Sequence, residues 1–127
     1  MTEFKNVPLA SLRDLRERYL ASLRYPQELH CEWLVAKGAC FVIEADGERV
    51  GYFICSEDGQ LVEFYLLDKM FARKEEIFGR MLEEFQIKSA FCKSFDDLFM
   101  TCCHTFCRSC KIGGILFRFF TDEIVMP

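Results

Sequence analysis

The sequence has no run of about 18 apolar residues, so no helix in it reads as a membrane span. Its opening stretch, Met1-Thr2-Glu3-Phe4-Lys5, is charged and leads into no apolar segment of the secretory kind. A soluble, cytoplasmic protein with no membrane partner is the expectation. It also has no basic block: the formal net charge is -4 and the pI about 5.2, which removes the electrostatic footing for nucleic-acid binding. A second Cys-x-x-Cys beside Cys107-Arg108-Ser109-Cys110 is missing too, so a four-thiolate zinc site cannot be assembled from such pairs. Eight cysteines without an export signal read as reduced thiols, and no metal site is expected. No internal repeat, low-complexity tract or linker interrupts the chain.

What is present is enough for one core. The chain has 127 residues, 51% of them hydrophobic, with fourteen Phe, and is expected to form a single domain over 1–127. Pro8 suits a first helical position, and Leu9, Leu12, Leu15, Tyr19 and Leu23 follow at helical spacing, predicting a helix over about 8–24. Pro26 can restart a second helix carrying His30, Cys31, Trp33 and Leu34, ended by Gly38. Two Asp-Gly turns, Asp46-Gly47 and Asp58-Gly59, then separate three β-rich runs, which gives an antiparallel meander.

The stretch Leu61 to Leu82 organises the rest. An apolar strand, Leu61 to Leu67, turns a polar corner at 68–72 into a helix opening at Arg73. Such a junction collects unpaired N–H groups and the positive end of a helix dipole, a place suited to anions. Residues 87–93 read as a strand parallel to 61–67, reached by a right-handed crossover. Ser94 with Asp97 predicts a further helix, on which Cys103, Cys107 and Cys110 would share one stripe beside Phe99, Cys102 and Phe106. That spacing fits packing of cysteine as a small hydrophobe; a zinc or redox role for the three thiols is the competing reading. Ile115 to Phe120 is the last strand. The fold class is therefore α/β with a mixed sheet: a three-stranded meander plus a parallel strand crossover, with flanking helices.

This order of elements resembles the GNAT superfamily of acyl-CoA-dependent N-acyltransferases. The resemblance rests on Glu32-Trp33-Leu34, on Asp46-Gly47-Glu48-Arg49-Val50-Gly51-Tyr52-Phe53, on the strand Leu61 to Leu67 with its helix, and on Cys110 to Arg118. It implies acetyl-CoA or coenzyme A as co-substrate and a small-molecule or peptide amine as acceptor. The cofactor would lie against Leu66, Leu67, Arg73, Lys74, Phe78 and Gly79, with Arg73 on the family's Arg. Glu76 and Phe78 stand where the family has the two glycines of its pyrophosphate loop. Acidic Glu75 and Glu76 also suit a first helical turn for its dipole alone. Glu63, the one acid inside the strand, would be the base, or an ordinary surface acid if its face is turned to solvent. Cys107 falls near the family's Tyr and would be the acid for the leaving thiolate. Two functions follow: an N-acyltransferase, and a GNAT-like binding domain without catalysis. The resemblance further implies a closing hairpin, yet only seven residues follow Phe120. The sheet is therefore expected to lack its final strand, with a homodimer or additional sequence completing it.

Overall fold

Two short turns fold the middle of the chain back on itself. In the computed structural model, which describes residues 2–23, 35–93, 96–106, 109–113 and 116–120, Asp46 and Gly47 both adopt positive φ (53° and 83°). That is what a two-residue type I′ hairpin needs. At the second turn Gly59, at φ 78°, donates its N–H to the Ser56 carbonyl at 3.1 Å. The three strands so joined are β2 (Ala39–Ala45), β3 (Glu48–Cys55) and β4 (Gln60–Leu66), as the turn chemistry predicts.

A strand that the sequence reading passes over precedes them. β1 (Thr2–Val7) pairs antiparallel with β2, with Phe4 opposite Ile43. Its alternation of Thr2 and Phe4 with Glu3 and Lys5 is short and charged, as befits a sheet edge, where Lys discourages pairing with other chains. Lys5 pairs with Glu44 at 2.9 Å. The predicted first helix begins instead as a 3-10 turn, Leu9–Leu12, before α1 (Arg13–Ser22). The predicted second helix falls outside the described residues, apart from residues 35–37, which are helical; Val35 is buried.

Beyond β4, a 3-10 turn (Asp68–Arg73) runs directly into α2 (Lys74–Glu84), and the chain crosses to β5 (Ser89–Lys93), parallel to β4 as expected. α3 (Asp97–Phe106) follows. Ser94 lies outside the described residues, and the residue that caps α3 is Asp96: its Oδ1 accepts the Phe99 N–H at 3.4 Å. The chain then forms β6 (Ser109–Gly113) and β7 (Leu116–Phe120). The whole sheet has the order β1-β2-β3-β4-β5-β7-β6.

Two expectations are corrected here. The helix stops at Phe106, and Cys110 sits on strand β6, so Cys103 and Cys110 do not share a helical stripe. For the same reason the sheet does not end at an unpaired Leu116–Phe120 strand. β7 lies between β5 and β6 and pairs with both. The run Ser109–Gly113 is too short to announce a change from helix to strand, and Gly113 ends that strand rather than a helix.

Side chains fill both faces of the sheet. One core joins Phe53, Phe64, Phe78 and Phe99 with Cys102 and Cys103 under α2 and α3. The other joins Leu12, Leu15 and Tyr19 of the α1 side with Tyr52, Ile54 and Val62. At Gly51 β3 has no room for a side chain against β4. A Cβ there would overlap the carbonyl oxygen of Tyr65 and press on Leu66.

Candidate active site

β4 and β5 are paired only at their first residues, Gln60 against Ser89 and Leu61 against Ala90, although β4 continues to Leu66 and β5 to Lys93. Beyond Leu61 the strands part and leave a V-shaped cleft. A bulge marks the parting point: Ile54 pairs with Glu63 but Cys55 with Leu61, so Val62 is an extra residue on β4. The bulge puts Val62 and Glu63 on one face. Val62 packs in the α1-side core, Glu63 reaches Arg16 and Tyr52, and Phe64 faces the other core. Simple alternation places Val62 opposite Glu63, and the bulge overturns that.

The backbone of β4 is oriented by its pairing with β3. Leu67 donates its N–H to the Val50 carbonyl at 2.8 Å. Neighbouring residues of a strand direct their backbone groups to opposite sides, so Phe64 and Leu66 direct theirs toward the edge from which β5 has withdrawn. An extended, amide-bearing ligand laid in the cleft would meet those groups as an added strand would.

At the wide end of the cleft, past the carboxyl ends of both strands, lies a cavity of about 470 Å³. Tyr65 and the corner residues Asp68 and Phe71 form one wall, Asp96 and Asp97 the opposite one, and Tyr19 of α1 closes the side. This is where open α/β sheets place ligands. The helical stretch beside it starts earlier than the sequence suggests. Leu67 is its N-cap, Met70 N–H already bonds Leu67 O at 2.9 Å, and Lys74 N–H is taken by Phe71 O. Nothing in 68–72 breaks a helix, so the corner winds up as 3-10 turn. The positive end of the dipole therefore lies at Asp68 and Lys69, on the lip of the cavity, rather than at Arg73.

Glu63 is not a surface acid. Its carboxylate is fully buried and accepts two bonds from Arg16, Nε at 3.1 Å and Nη2 at 3.0 Å, and one from the Tyr52 hydroxyl at 2.7 Å. Tyr19 donates its hydroxyl to Asp96 Oδ2 at 2.7 Å. The reading of α1 by its apolar stripe alone misses Arg16. It lies between Leu12, Leu15 and Tyr19 on that stripe, and a cation in such a place signals a buried acid across the interface.

The other candidate residues are spread around this centre. Leu66 is buried and Leu67 half-buried at the end of β4. Arg73 bonds Thr2 Oγ1 at 3.1 Å and Glu76 at 2.9 Å, toward the far edge of the sheet from the cleft. That pairing holds the Glu76 carboxyl below its usual range. Lys74 pairs with Glu75 at 3.3 Å. Phe78 is fully buried against Phe64 and Phe99. Gly79 is where α2 meets α3: a Cβ would lie 3.1 Å from the Phe106 ring. Cys107 lies outside the described residues.

Three buried acids of the core respond to alkali. Burial first, then the nearby Asp96 charge, holds the Tyr19 hydroxyl well above its usual range. Burial, then Glu63, does the same to Tyr52. Burial pushes the Cys102 thiol up to about 12. Each group stays protonated in the folded chain while its unfolded counterpart ionises, so the unfolded state binds fewer protons and stability falls as pH rises. Melting temperature should hold up to about pH 8.5, where thiols first ionise, and fall steadily toward pH 11. Thermal scans across that range check this; a flat profile would contradict the protonated core.

Residues 9–120 match a family model described as an acetyltransferase (GNAT) domain. No curated protein matches the chain. Among solved structures, a GNAT-family acetyltransferase of Colwellia psychrerythraea superposes with a TM-score of 0.81 at 19% identity over 87% of this chain. The match spans 44% of that protein, so this chain corresponds to under half of its length. An N-acetyltransferase of Campylobacter jejuni in complex with acetyl coenzyme A gives 0.57 at 11% identity, covering 97% of this chain and 99% of that one. A GNAT-family acetyltransferase of Elizabethkingia anophelis with acetyl-CoA bound gives 0.55 at 7% identity, covering 93% and 95%.

Proposed function

We propose, from the premise that the chain belongs to the GNAT acetyltransferase family, that it transfers an acetyl group from acetyl-CoA to an amine. The observation that carries this is the parting of β4 from β5 after Leu61, which opens one strand edge beside a cavity. The pantetheine arm, with its amides, lies along the backbone of Phe64 and Leu66, and its phosphates lie toward the corner at Asp68–Arg73. Solved relatives hold acetyl-CoA or CoA, which supports the same co-substrate here. Exposed Asp97, on the cavity wall across from that corner, favours an amine acceptor, small molecule or peptide, by charge. No part of the Glu63 carboxylate is exposed, so in this reading it acts by fixing Arg16 and Tyr52 beside the cleft rather than by taking the amine's proton itself. Cys107 keeps the leaving-group role that the family resemblance assigns it. The protein acts in the cytoplasm in this reading, and β6 supplies the sheet's last strand without a second copy.

Glu76 and Phe78 in place of glycines favour a second reading, a domain that binds without turnover. Calorimetry with acetyl-CoA, followed by thiol release with a panel of amines, separates the two. Binding with turnover is the expected result. Binding with no thiol release from any amine selects the second reading, and no heat at millimolar acetyl-CoA removes both.

A further inference from the structure

The corner at the end of β4 has the position of a phosphate site but not its chemistry. A backbone cradle needs unpaired N–H groups, and residues small enough to let phosphate oxygens reach them. The 3-10 turn spends donors of that stretch internally: Met70 N–H goes to Leu67 O at 2.9 Å, and Lys74, the first residue of α2, gives its own to Phe71 O. No glycine occurs between Gly59 and Gly79, so a side chain stands at every position of the corner.

The charges of the corner are already matched. Among the described residues, each of its cations faces a carboxylate: Lys69 pairs with Glu48, Arg73 with Glu76 at 2.9 Å and Lys74 with Glu75 at 3.3 Å. Asp68, exposed in the first turn, adds one acid more. Exposed pairs of this kind are weak, so an incoming phosphate could turn a cation toward itself. The carboxylate left behind would then repel the phosphate from the same place, and the exchange gives no net attraction. The corner does not fit a pyrophosphate. The cleft, in contrast, suits an uncharged chain bearing amides: Phe64 and Leu66 turn backbone groups toward it, and Tyr65, Phe71 and Leu98 give the cavity beyond an apolar wall. Phe71 is 39% exposed, a large apolar side chain open to cover by a ligand.

Resting on the acetyl-transfer reading, we propose that the chain recognises its acyl donor through the thioester and the pantetheine arm, with the nucleotide half of coenzyme A adding no affinity. Acyl thioesters of pantetheine are then donors as good as acetyl-CoA. The bonds exchanged are the same with either donor: the acceptor amine forms the C–N bond, the C–S bond breaks with its electron pair on sulfur, and the proton lost by the amine is balanced by the one that sulfur gains. The thiol released is pantetheine in place of coenzyme A.

The test sets the two halves of the donor against each other. Calorimetry compares coenzyme A, pantetheine and 3′,5′-ADP, the nucleotide half alone; thiol release with the most reactive amine of a panel compares acetyl-CoA with S-acetylpantetheine. The expected result is affinities for coenzyme A and pantetheine within about tenfold, no heat from 3′,5′-ADP at about 1 mM, and kcat/KM for the two donors within about tenfold. Heat from 3′,5′-ADP, or an advantage of the coenzyme A form above about tenfold in either measurement, overturns the proposal and leaves the acetyl-transfer reading standing. No thiol from either donor with any amine removes the acetyl-transfer reading, and the calorimetry still decides which half is held. No heat from coenzyme A or pantetheine overturns both.

Discussion

Alanine at Gly51 should cost the protein about 3 kcal/mol and lower its melting temperature by roughly 10 °C. The added methyl would overlap the Tyr65 carbonyl oxygen and press on the Leu66 side chain and Cα. Backbone cannot rotate out of the way as a flexible side-chain end can, so β3 and β4 must separate locally. Alanine's lower chain entropy in the unfolded state offsets this by only about 0.5–1 kcal/mol. The displaced segment is the wall of the cleft, so acetyl-CoA affinity should fall with stability. Urea unfolding with an unchanged slope and a lowered midpoint is the signature. A midpoint equal to that of the wild type would mean that the two strands do not approach each other as described.

The Arg16–Glu63 pair should show a strong asymmetry. Arg16→Met strands a fully buried carboxylate and should cost about 3–5 kcal/mol. Glu63→Leu should cost less. The Arg16 side chain keeps 15% exposure and can turn to water, although Tyr52 loses its acceptor. The double variant should lie well above the sum of the two, because two apolar residues facing each other leave no buried charge behind. Chemical unfolding of all four proteins gives the coupling directly. Additive costs would place the two groups in separate environments and contradict the bidentate geometry.

The elements that the sequence announces are those with strong local chemistry. The Asp-Gly turns fix the meander, and the spacing from Leu61 to Lys93 fixes the parallel crossover, because a strand-helix-strand step has one favoured hand. The candidate site's place at the end of β4 follows from that topology. Its chemistry does not. The bulge at Val62 reverses the face of one residue, and no local propensity marks it. Arg16 and Glu63 lie 47 residues apart, so their pairing exists only once α1 lies across the sheet. β1 and β6 were hidden for a different reason. Both are short strands at the sheet's two edges, where polar residues dilute the period-two pattern.

The narrow contact between Gln60–Leu61 and Ser89–Ala90 also divides the molecule's cooperativity. β1 to β4 form one ribbon laced along its length, and β5, β7 and β6 form another. Two register pairs join them. Beneath them lies the apolar layer under the helices, where Phe64 of β4 meets Phe99 of α3 at a ring separation of 6.4 Å, with Phe78 of α2 against both. Hydrophobic contact is non-directional and tolerates small rotations that a hydrogen-bonded ladder would resist. The sheet is thus built as a book with an oily spine: a small tilt of its covers, which would widen or narrow the space between them, breaks no ladder within either cover.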